Sequence, residues 1–246
     1  MKLTGDYHTH TTFSHGKSTI EENIIKAMAL GLEKIVISDH GSGHFLYGVK
    51  RSRWIEMRRL VDQMRLKYPN IEILLGIEAN IIGLHGDIDI RENEFEIYDI
   101  IHVGFHYGII PKTLKDFFYL YCLNASAKII PFLKNKAKKI NTLALIRVME
   151  QHPIFMVTHP GAKVPVDIDA VAKKAAQLDI VLEINSSHGH LTREDIVIAK
   201  KYNVKFAVNS DAHVLENIGN VSEGLKSIQY AKIPIEYVIN IKEDET

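Results

Sequence analysis

Residues 34–41 read KIVISDHG, an apolar and β-branched run that ends abruptly on an acid and a histidine. Short apolar runs of this kind are typical of strands buried in a parallel sheet. Further runs of the same type occur along the chain, and amphipathic segments separate them. The seven predicted strands cover residues 3–9, 34–39, 72–78, 99–105, 154–158, 180–185 and 204–210. This alternation predicts an α/β fold built around a parallel sheet.

The segments between the strands carry signals that start helices. Residues 18–21 form a capping-box pattern, and residues 192–195 form a similar start. Asn141 is expected to cap a helix that continues to residue 149, and an aspartate near residue 167 to start another that ends at residue 178. Each predicted strand is therefore followed by helical or loop sequence, as the units of a parallel barrel require.

The composition restricts the class of protein. The 246 residues include 30 Lys+Arg and 30 Asp+Glu, and this zero formal charge argues against a dedicated nucleic-acid arm or an acidic tail. Hydrophobic residues make up 46% of the chain, and the length suits one α/β barrel, so residues 1–246 are interpreted as a single domain. A single cysteine, Cys122, excludes a disulfide framework and any thiolate-rich metal site.

Membrane and export signals are not evident in the sequence. Residues 1–10 contain no apolar core of a signal peptide, and charged residues interrupt the longest apolar stretch, 114–133. Together with the lone cysteine, these features indicate a reducing compartment. We expect a soluble cytoplasmic protein with no membrane partner.

Histidine is the unusual component of this chain, with 13 residues. Six of the seven predicted strands finish on or beside a good metal ligand: His8 and His10, His40, Glu78, His106, His159, and Asp211 with His213. In a parallel α/β barrel all strand carboxyl ends open on one face, so these side chains should converge there. A lone histidine would be interpreted as a satisfied surface or core residue, but the coincidence at six strand ends favours a metal site.

Local spacing supports a metal site made of nitrogen and oxygen ligands. Asp6, His8 and His10 alternate along one strand and therefore share a face, so the two histidines can chelate one ion while Asp6 orients an imidazole. His15 lies in the loop before the first helix, on the same rim. Glu78 follows an apolar run, and a carboxylate there can bridge two cations. Nine ligands without sulfur suit zinc, manganese or iron.

With these residues in this order, the sequence resembles the PHP (polymerase and histidinol phosphatase) family of metal-dependent phosphoesterases. Within that family it is most similar to the stand-alone bacterial phosphatases. The matching elements are His8-x-His10, His15, Asp39-His40, 76–80 (GIEAN), 104–106 (GFH), 158–160 (THP) and 210–213 (SDAH). They extend from about residue 6 to about residue 241. The resemblance implies a distorted seven-stranded (β/α)7 barrel of the TIM type, with metals at the carboxyl ends of the strands.

The resemblance also implies roles for individual residues. One metal would be held by His8, His10, Glu78 and Asp211, a second by Glu78, His106 and His159, and a third by His15, His40 and His213. Catalysis is assigned to Glu78, Asp211, His15 and His213, and Asp6 and Asp39 are expected to lie behind the ligands and orient them. The cofactors would be three divalent transition metals, zinc first, with manganese or iron as alternatives. The implied reaction is hydrolysis of a small phosphomonoester by metal-bound hydroxide.

Other functions share this ligand set. A histidinol-phosphate phosphatase and a 3′-5′ exonuclease or phosphodiesterase are alternatives within the family, and an inactive PHP scaffold is the alternative that is not an enzyme. The exonuclease is disfavoured because the sequence shows no extended basic groove, so a nucleic-acid partner is not expected. Retention of every ligand argues against the inactive scaffold.

Candidate substrate contacts are less specific. Arg51 and Arg53 follow the second strand and could bind phosphate, although a solvated helix start explains them equally. Asn185, Ser187 and His188 follow the sixth strand on the same rim, where they could contact substrate or belong to a loop. His102 shares a face with His106 but lies deeper, so a hydrogen-bonded interior residue is predicted. His44, His85 and His152 are given no role.

Residues 107–139 form a long connection after the fourth strand. The segment holds an aromatic cluster, 117–122, and a basic run, 134–139. Long connections at the carboxyl face of a barrel often select substrates, which predicts a partly helical lid over the metals. Aromatic clusters on a surface also mark interfaces, so a contact in a homo-oligomer is the alternative.

Overall fold

Seven parallel strands form the centre of the fold, in the spatial order in which they follow along the chain. The structure is a computed structural model that describes residues 1–243. The strands of the barrel are β2 (Gly5–Thr9), β3 (Lys34–Ile37), β4 (Glu72–Asn80), β5 (Ile100–Gly104), β6 (Met156–Val157), β7 (Val181–Asn185) and β8 (Phe206–Asn209). The predicted α/β fold with a distorted, nearly closed seven-stranded barrel is confirmed.

The seam of the barrel lies between β2 and the residues after β8. The His10 amide donates to the Ala212 carbonyl at 2.9 Å, and the Ala212 amide donates to the His8 carbonyl at 3.3 Å. The first predicted strand, 3–9, is interrupted at Thr4. Its first residues form β1 (Lys2–Leu3), which pairs antiparallel with β9 (Ile241–Lys242) instead of joining the barrel.

Eight α-helices surround or extend the barrel. They are α1 (Ile20–Ala29), α2 (Arg51–Lys67), α3 (Leu114–Phe117), α4 (Asn124–Ile129), α5 (Pro131–Gln151), α6 (Ile168–Gln177), α7 (Arg193–Ala199) and α8 (Ser222–Ala231). Thr19 caps α1 in a capping box with Glu22, one residue later than the predicted box of residues 18–21. Thr192 caps α7 as predicted, by accepting from the Asp195 amide. Within residues 1–243, no helix is long and apolar enough to cross a membrane.

The prediction that Asn141 starts a helix is wrong. Helix α5 already begins at Pro131, whose missing amide hydrogen costs nothing in a first turn. Asn141 lies buried in the middle of α5, where its side-chain amide donates to the Asn124 side chain at 2.8 Å and to the Pro165 carbonyl at 3.0 Å. The asparagine therefore ties α5 to α4 and to the loop before α6 rather than capping a helix.

The core has two parts that leave the carboxyl ends of the strands to polar groups. A large apolar cluster fills the layer between strands and helices and contains fully buried side chains such as Ile35, Ile37 and Leu145. A smaller cluster of Tyr7, Val36, Met156, Val181 and Ala207 lies toward the amino ends of the strands. Burial of this much apolar surface is the main source of stability. The fold can therefore carry a buried polar site at its other end.

Candidate active site

The nine predicted ligands lie together at the carboxyl ends of the barrel strands. Seven of them line a cavity of about 260 Å³: His15, His40, Glu78, His106, His159, Asp211 and His213. His8 and His10 are buried beside this cavity, with 0% and 1% exposure. The convergence arises because each strand of a parallel barrel ends on the same face.

Glu78 lies at the centre of the site. Its Oε1 atom is 2.9 Å from His159 Nε2, 3.1 Å from His106 Nε2 and 3.4 Å from His8 Nε2. Its Oε2 atom is 2.9 Å from His40 Nδ1. Both oxygens of one buried carboxylate are thus shared among imidazoles from four other strand ends, an arrangement suited to a bridging ligand.

Asp211 forms the second anionic point of the site, after β8. Its Oδ1 atom lies 3.1 Å from His10 Nε2 and 3.5 Å from His8 Nε2. Asp211 has a φ of 52° and His159 a φ of 30°, both in the left-handed region that residues with a side chain seldom adopt. Such backbone conformations concentrate at functional sites, where the surrounding structure holds them in place.

Three groups of ligand atoms are close enough to hold a cation. In each group the atoms lie within 4.8 Å of one another: His10, His15, His40 and His213; His8, His10 and Asp211; and His40, Glu78 and His106. These groups differ in detail from the expected division into three metal sites. In the structure His10 belongs to two groups, and His40 lies in a group with Glu78. The nine side chains therefore form one continuous cluster, in which neighbouring cation sites would share ligands.

The donor atoms of this cluster fit divalent cations. Six buried atoms of the nine side chains have no hydrogen-bond partner within residues 1–243: His10 Nδ1, His15 Nδ1, His40 Nδ1, Glu78 Oε2, His106 Nδ1 and His106 Nε2. Several lie within 2.9–3.1 Å of another ligand atom, but the angles are not those of hydrogen bonds. Buried polar atoms without partners are costly, and a shared cation would satisfy them.

Burial and neighbouring charges shift the pKa values of the candidate ligands in different directions. Burial alone would raise the pKa of Glu78, but His106, His8 and His40 hold it well below its usual value. Burial, with the charges of neighbouring histidines, lowers the pKa of His15 to about 3. Burial also lowers the pKa of His106 to about 4. At neutral pH the Glu78 carboxylate is therefore ionised, and His15 and His106 are neutral. Burial alone would lower the pKa of His8 and of His159, but Glu183 raises the first and Glu78 raises the second, so these two imidazoles must release a proton when a metal binds.

Gly104 makes room for two of the imidazoles at the end of β5. A Cβ atom at this position would collide with Thr158 Oγ1 and would lie 3.1 Å from His159 Cε1 and 3.2 Å from His106 Cε1. These distances are too short for an unperturbed side chain. The glycine therefore fixes how closely the ligands of β5 and β6 approach each other.

Glu183 is a functional residue that the sequence analysis missed. It is fully buried on β7, and its Oε1 atom lies 2.7 Å from His8 Nδ1 while its Oε2 atom accepts from the His159 amide at 2.8 Å. A carboxylate on Nδ1 orients the ring and leaves Nε2 free to bind a metal. The available signal was the alternation of Glu183 and Asn185 with the apolar Leu182 and Ile184, which places two polar side chains on one buried face.

Asp6 and Asp39 act differently from the expectation that they orient imidazoles. The Asp6 carboxylate accepts from the Ser210 hydroxyl and amide and from the Gly219 amide, so it fixes the segment that carries Asp211. Asp39 accepts from the Thr11 amide at 2.8 Å and from the Ser14 hydroxyl, and it lies 4.0 Å from His10 Nδ1. Both carboxylates therefore position backbone near the ligands.

The predicted phosphate contacts Arg51 and Arg53 do not line the cavity. Arg51 donates to the carboxylate of Glu94 and to the Asp89 carbonyl, and Arg53 pairs with Glu56 while its guanidinium packs over the Phe13 ring at 4.1 Å. The alternative for these arginines, a helix start, describes their position, since α2 begins at Arg51. Their charges are engaged by protein groups.

Of the candidates after β7, His188 lines the cavity, with its Nε2 atom 3.3 Å from Asp211 Oδ2. Asn185 is buried behind the cavity and donates to Asp211 Oδ2 at 3.0 Å and to Glu183 Oε2 at 3.1 Å. Ser187 lines a separate hollow beside Ser210. The structure therefore gives His188 access to a ligand in the cavity, whereas Asn185 holds a metal-ligand candidate.

Two histidines depart from what the sequence predicted, one in its hydrogen bonding and one in its position. His102 is buried in the barrel as predicted, but the predicted hydrogen bond is wrong, since neither ring nitrogen has a partner within residues 1–243. His44, which was given no role, lines the cavity and accepts from the Tyr47 amide at 3.0 Å. Tyr47 in turn stacks on His15 with ring centres 4.3 Å apart. One wall of the cavity is therefore aromatic.

Residues 107–139 fold into α3, a π-helical segment (Phe118–Leu123), α4 and the first turns of α5. Leu123, Ala127 and Ala137 form a small buried cluster that packs this helical arm together. From the whole segment, Tyr107 is the residue that lines the cavity. The partly helical structure is as expected, while the lid role and the oligomer contact stay predictions.

Comparisons with known proteins identify the family. The PHP domain model matches residues 6–209. A probable phosphatase of Shewanella sediminis is 31% identical over 255 residues, covering 98% of this chain and 90% of that protein. A probable phosphatase of Thermoanaerobacter sp. is 32% identical over 250 residues, covering 98% of this chain and 91% of that protein.

Solved structures share the fold at low sequence identity. A histidinol phosphate phosphatase from Lactococcus lactis, in complex with zinc, L-histidinol and phosphate, superimposes with a TM-score of 0.63, 15% identity and 95% coverage of each chain. A putative histidinol phosphatase from Listeria monocytogenes has a TM-score of 0.64 and 17% identity, covering 87% of this chain and 97% of that chain. With the family match and the clustered ligands, these findings show that the chain belongs to the PHP domain family and is a metal-dependent phosphatase.

Proposed function

We propose that the protein hydrolyses small phosphomonoesters at a centre of three divalent cations. The observation that carries this proposal is the buried Glu78 carboxylate, whose two oxygens lie within 2.9–3.8 Å of ring nitrogens from five histidines. A carboxylate so surrounded, with unpartnered donor atoms around it, has the chemistry of a bridging ligand. Zinc is the first choice for this set of nitrogen and oxygen donors, and manganese or iron are the alternatives.

The ligand set determines the charge of the loaded site. His8, His10, Glu78 and Asp211 would hold one cation, Glu78 with His106 and His159 a second, and His15, His40 and His213 a third. Glu78 and Asp211 are the anionic members of the set, so three divalent cations leave the cavity locally positive. When bound, the cations supply Lewis-acid stabilisation of phosphoryl oxygens and acidify water.

The protein's own groups hold this arrangement in place. Glu183 fixes the His8 ring, Asn185 binds the far oxygen of Asp211, and Asp6 anchors the backbone before Asp211. Preorganised ligands need little rearrangement when charge develops on the phosphoryl group. His188, at the mouth of the cavity beside Asp211, is the side chain placed to contact the ester oxygen or the leaving group.

The size of the cavity supports a small substrate. Its volume of about 260 Å³ lies below the range of roughly 300–1,000 Å³ typical of sites for drug-sized ligands. Its lining includes one lysine and no arginine, so it has little positive charge with which to bind the successive phosphates of a nucleic acid. These features favour a phosphomonoester over the exonuclease alternative. The Lactococcus lactis protein was solved with L-histidinol and phosphate, so histidinol phosphate is one of the substrates to test.

The decisive experiment replaces the two anionic ligands. Glu78→Gln and Asp211→Asn should each lower kcat/KM on 4-nitrophenyl phosphate by more than about 100-fold, since even residues behind a metal ligand cost about 10–100-fold. The exposed Glu96→Gln and Asp179→Asn serve as matched controls, and circular dichroism checks folding. Normal activity in either ligand variant would sink the three-cation centre.

Metal analysis gives an independent test. Native protein should contain more than one transition-metal ion per chain, and the Glu78→Gln variant should contain fewer. Protein purified without chelators that carries no metal, and gains no activity when zinc or manganese is added, would contradict the proposal. A panel of phosphorylated metabolites, histidinol phosphate, nucleotides and short DNA then distinguishes the small phosphomonoester from the alternatives.

A further inference from the structure

Lys163 carries the ammonium group of the active-site cavity. The residue lies four positions after the ligand His159 and lines the cavity with it. Within residues 1–243, no carboxylate pairs with Lys163, whereas other lysines such as Lys112 and Lys174 are bound to acids. The two carboxylates of the cavity, Glu78 and Asp211, are occupied by histidines. A half-buried ammonium without a counter-anion is available to a ligand.

Two hydrogen bonds hold the turn between His159 and Lys163. The Tyr107 hydroxyl donates to the Lys163 carbonyl, and the Ala162 amide donates to the His159 carbonyl at 3.0 Å. Gly161, with a φ of 93°, supplies the left-handed residue that lets the chain turn between these points. The ammonium is therefore presented by a fixed turn rather than by a free loop.

Tyr107 is itself held by the helical arm. The Lys128 ammonium of α4 lies 4.8 Å from the centre of the Tyr107 ring, within the range of a cation–π contact. Tyr107 also lines the cavity, on the side of Lys163. One chain of contacts thus runs from the arm through Tyr107 to the turn that carries Lys163.

The position of Lys163 decides which part of a substrate it can meet. The candidate ligands Glu78, His159 and Asp211 are at most 4% exposed and form the floor of the cavity, so they would engage the phosphoryl group there. Lys163 is half-buried and Tyr107 is 45% exposed, so both lie nearer the solvent than these ligands, at the mouth of the cavity, where the leaving group must project. An ammonium at the mouth would therefore contact the leaving group.

Resting on the proposed function, we propose that Lys163 selects phosphomonoesters whose leaving group bears a second anion, either a carboxylate or a second phosphate. A hydrogen bond between an ammonium and an anion is worth about 10-fold or more in binding. Tyr107 is a positioning residue for this contact, since its hydroxyl fixes the backbone of Lys163.

The test compares two aryl phosphates of the same shape, 4-carboxyphenyl phosphate and the uncharged 4-carbamoylphenyl phosphate. The metal-loaded enzyme should prefer the carboxylate. In Lys163→Met the ratio of kcat/KM for the acidic probe to kcat/KM for the uncharged probe should fall about 10-fold. We expect this fall to arise from a higher KM for the acidic probe. Lys163→Arg should keep the preference. For each probe, kcat/KM of the variant is divided by kcat/KM of the parent enzyme. This division cancels the effect of the different basicities of the two phenolate leaving groups. Lys201→Met, before β8 at the other end of the barrel, is the matched control.

Tyr107→Phe tests the positioning role, because it removes one hydroxyl and leaves the ring. We expect part of the loss seen in Lys163→Met, again in KM for the acidic probe, with unchanged metal content. An unchanged ratio in Lys163→Met, whether both activities fall or neither does, would overturn the proposal. A parent enzyme that hydrolyses neither probe after metal loading would instead remove the proposed function, and the role of Lys163 with it.

Discussion

Replacing Glu183 by Gln removes one charge from behind the candidate metal site while keeping the shape of the side chain. Each oxygen of Glu183 accepts two hydrogen bonds. Oε1 faces His8 Nδ1 at 2.7 Å and Asn209 Nδ2 at 3.0 Å, and Oε2 faces the His159 amide at 2.8 Å and Asn185 Nδ2 at 3.1 Å. An amide NH2 on either side meets two donors. The variant therefore loses two hydrogen bonds in whichever orientation its side chain adopts.

The magnitude follows from burial and from the groups affected. Leaving a buried donor unsatisfied costs about 1–3 kcal/mol, so two of them should lower the free energy of unfolding by about 2–6 kcal/mol. For a chain of this size that corresponds to a fall in Tm of roughly 4–24 °C. Loss of the carboxylate on His8 should also weaken metal binding or activity by about 10–100-fold.

Three measurements check this prediction. Zinc titration of metal-free protein gives the affinity, 4-nitrophenyl phosphate hydrolysis gives kcat/KM, and thermal unfolding gives Tm. Glu194→Gln, an exposed position on α7, is the matched control and should leave all three unchanged. If Glu183→Gln lowers Tm but binds zinc and turns over substrate like the parent protein, the residue supports the fold alone and the reasoning about His8 is refuted.

Three further predictions concern neighbouring features. His102→Leu should raise Tm by a few degrees with unchanged metal content, because it removes two unpartnered buried nitrogens worth about 1 kcal/mol or more; a loss of metal would show that His102 is a ligand. Gly104→Ala should lower metal content and activity, since the new methyl group displaces the two flanking imidazoles; full metal occupancy would contradict this. Burial alone would raise the pKa of Asp99, but two arginines lower it below 3.8, so its stabilising effect is present near neutral pH and lost in acid. Asp99→Asn should therefore cost about 1 kcal/mol at pH 7, and the difference in Tm from the parent protein should shrink below about pH 4; a difference independent of pH would exclude the ion pairs as its cause.

The sequence predicted the barrel and the place of the ligands for the same physical reason. A parallel sheet needs apolar strands, so the polar residues that close an apolar run mark the carboxyl end of the barrel. His40 and His159 follow β3 and β6, and Glu78 lies two residues before the end of β4, which extends beyond the predicted strand 72–78. No distance information is required, because the topology brings these ends together. The order of the ligands along the chain carried the resemblance to the family.

Where the role of a residue depends on the direction of its side chain, the sequence could not predict that role. Glu183 lies two residues before the end of β7, between the apolar Leu182 and Ile184, and only this alternation indicates that it faces the site. Arg51 and Lys163 both follow strands, yet the structure directs one toward Glu94 and the other into the cavity. The direction of Lys163 depends on loop geometry, namely the left-handed Gly161 and the hydrogen bond from the Tyr107 hydroxyl. The local sequence predicts neither of these features.

The start of α5 shows a similar limit. Asn141 is a good capping residue in isolation, so the local pattern favoured a short helix from that position. The helix instead extends ten residues further toward the amino end, because Pro131 can start it and because Ala137 is buried against the helical arm. Tertiary packing, through the side-chain pair of Asn124 and Asn141, overrides the local signal.

The seam between β2 and β8 has a consequence for how the protein is made. His10 and Asp211 meet across it at 3.1 Å although they stand 201 positions apart in the chain. Contacts this distant in sequence form late in folding, so a growing polypeptide has no complete site until its last barrel strand has docked. Cations that bind only the closed barrel then stabilise it by mass action. The supply of metal during synthesis should therefore set the yield of folded protein as well as its activity.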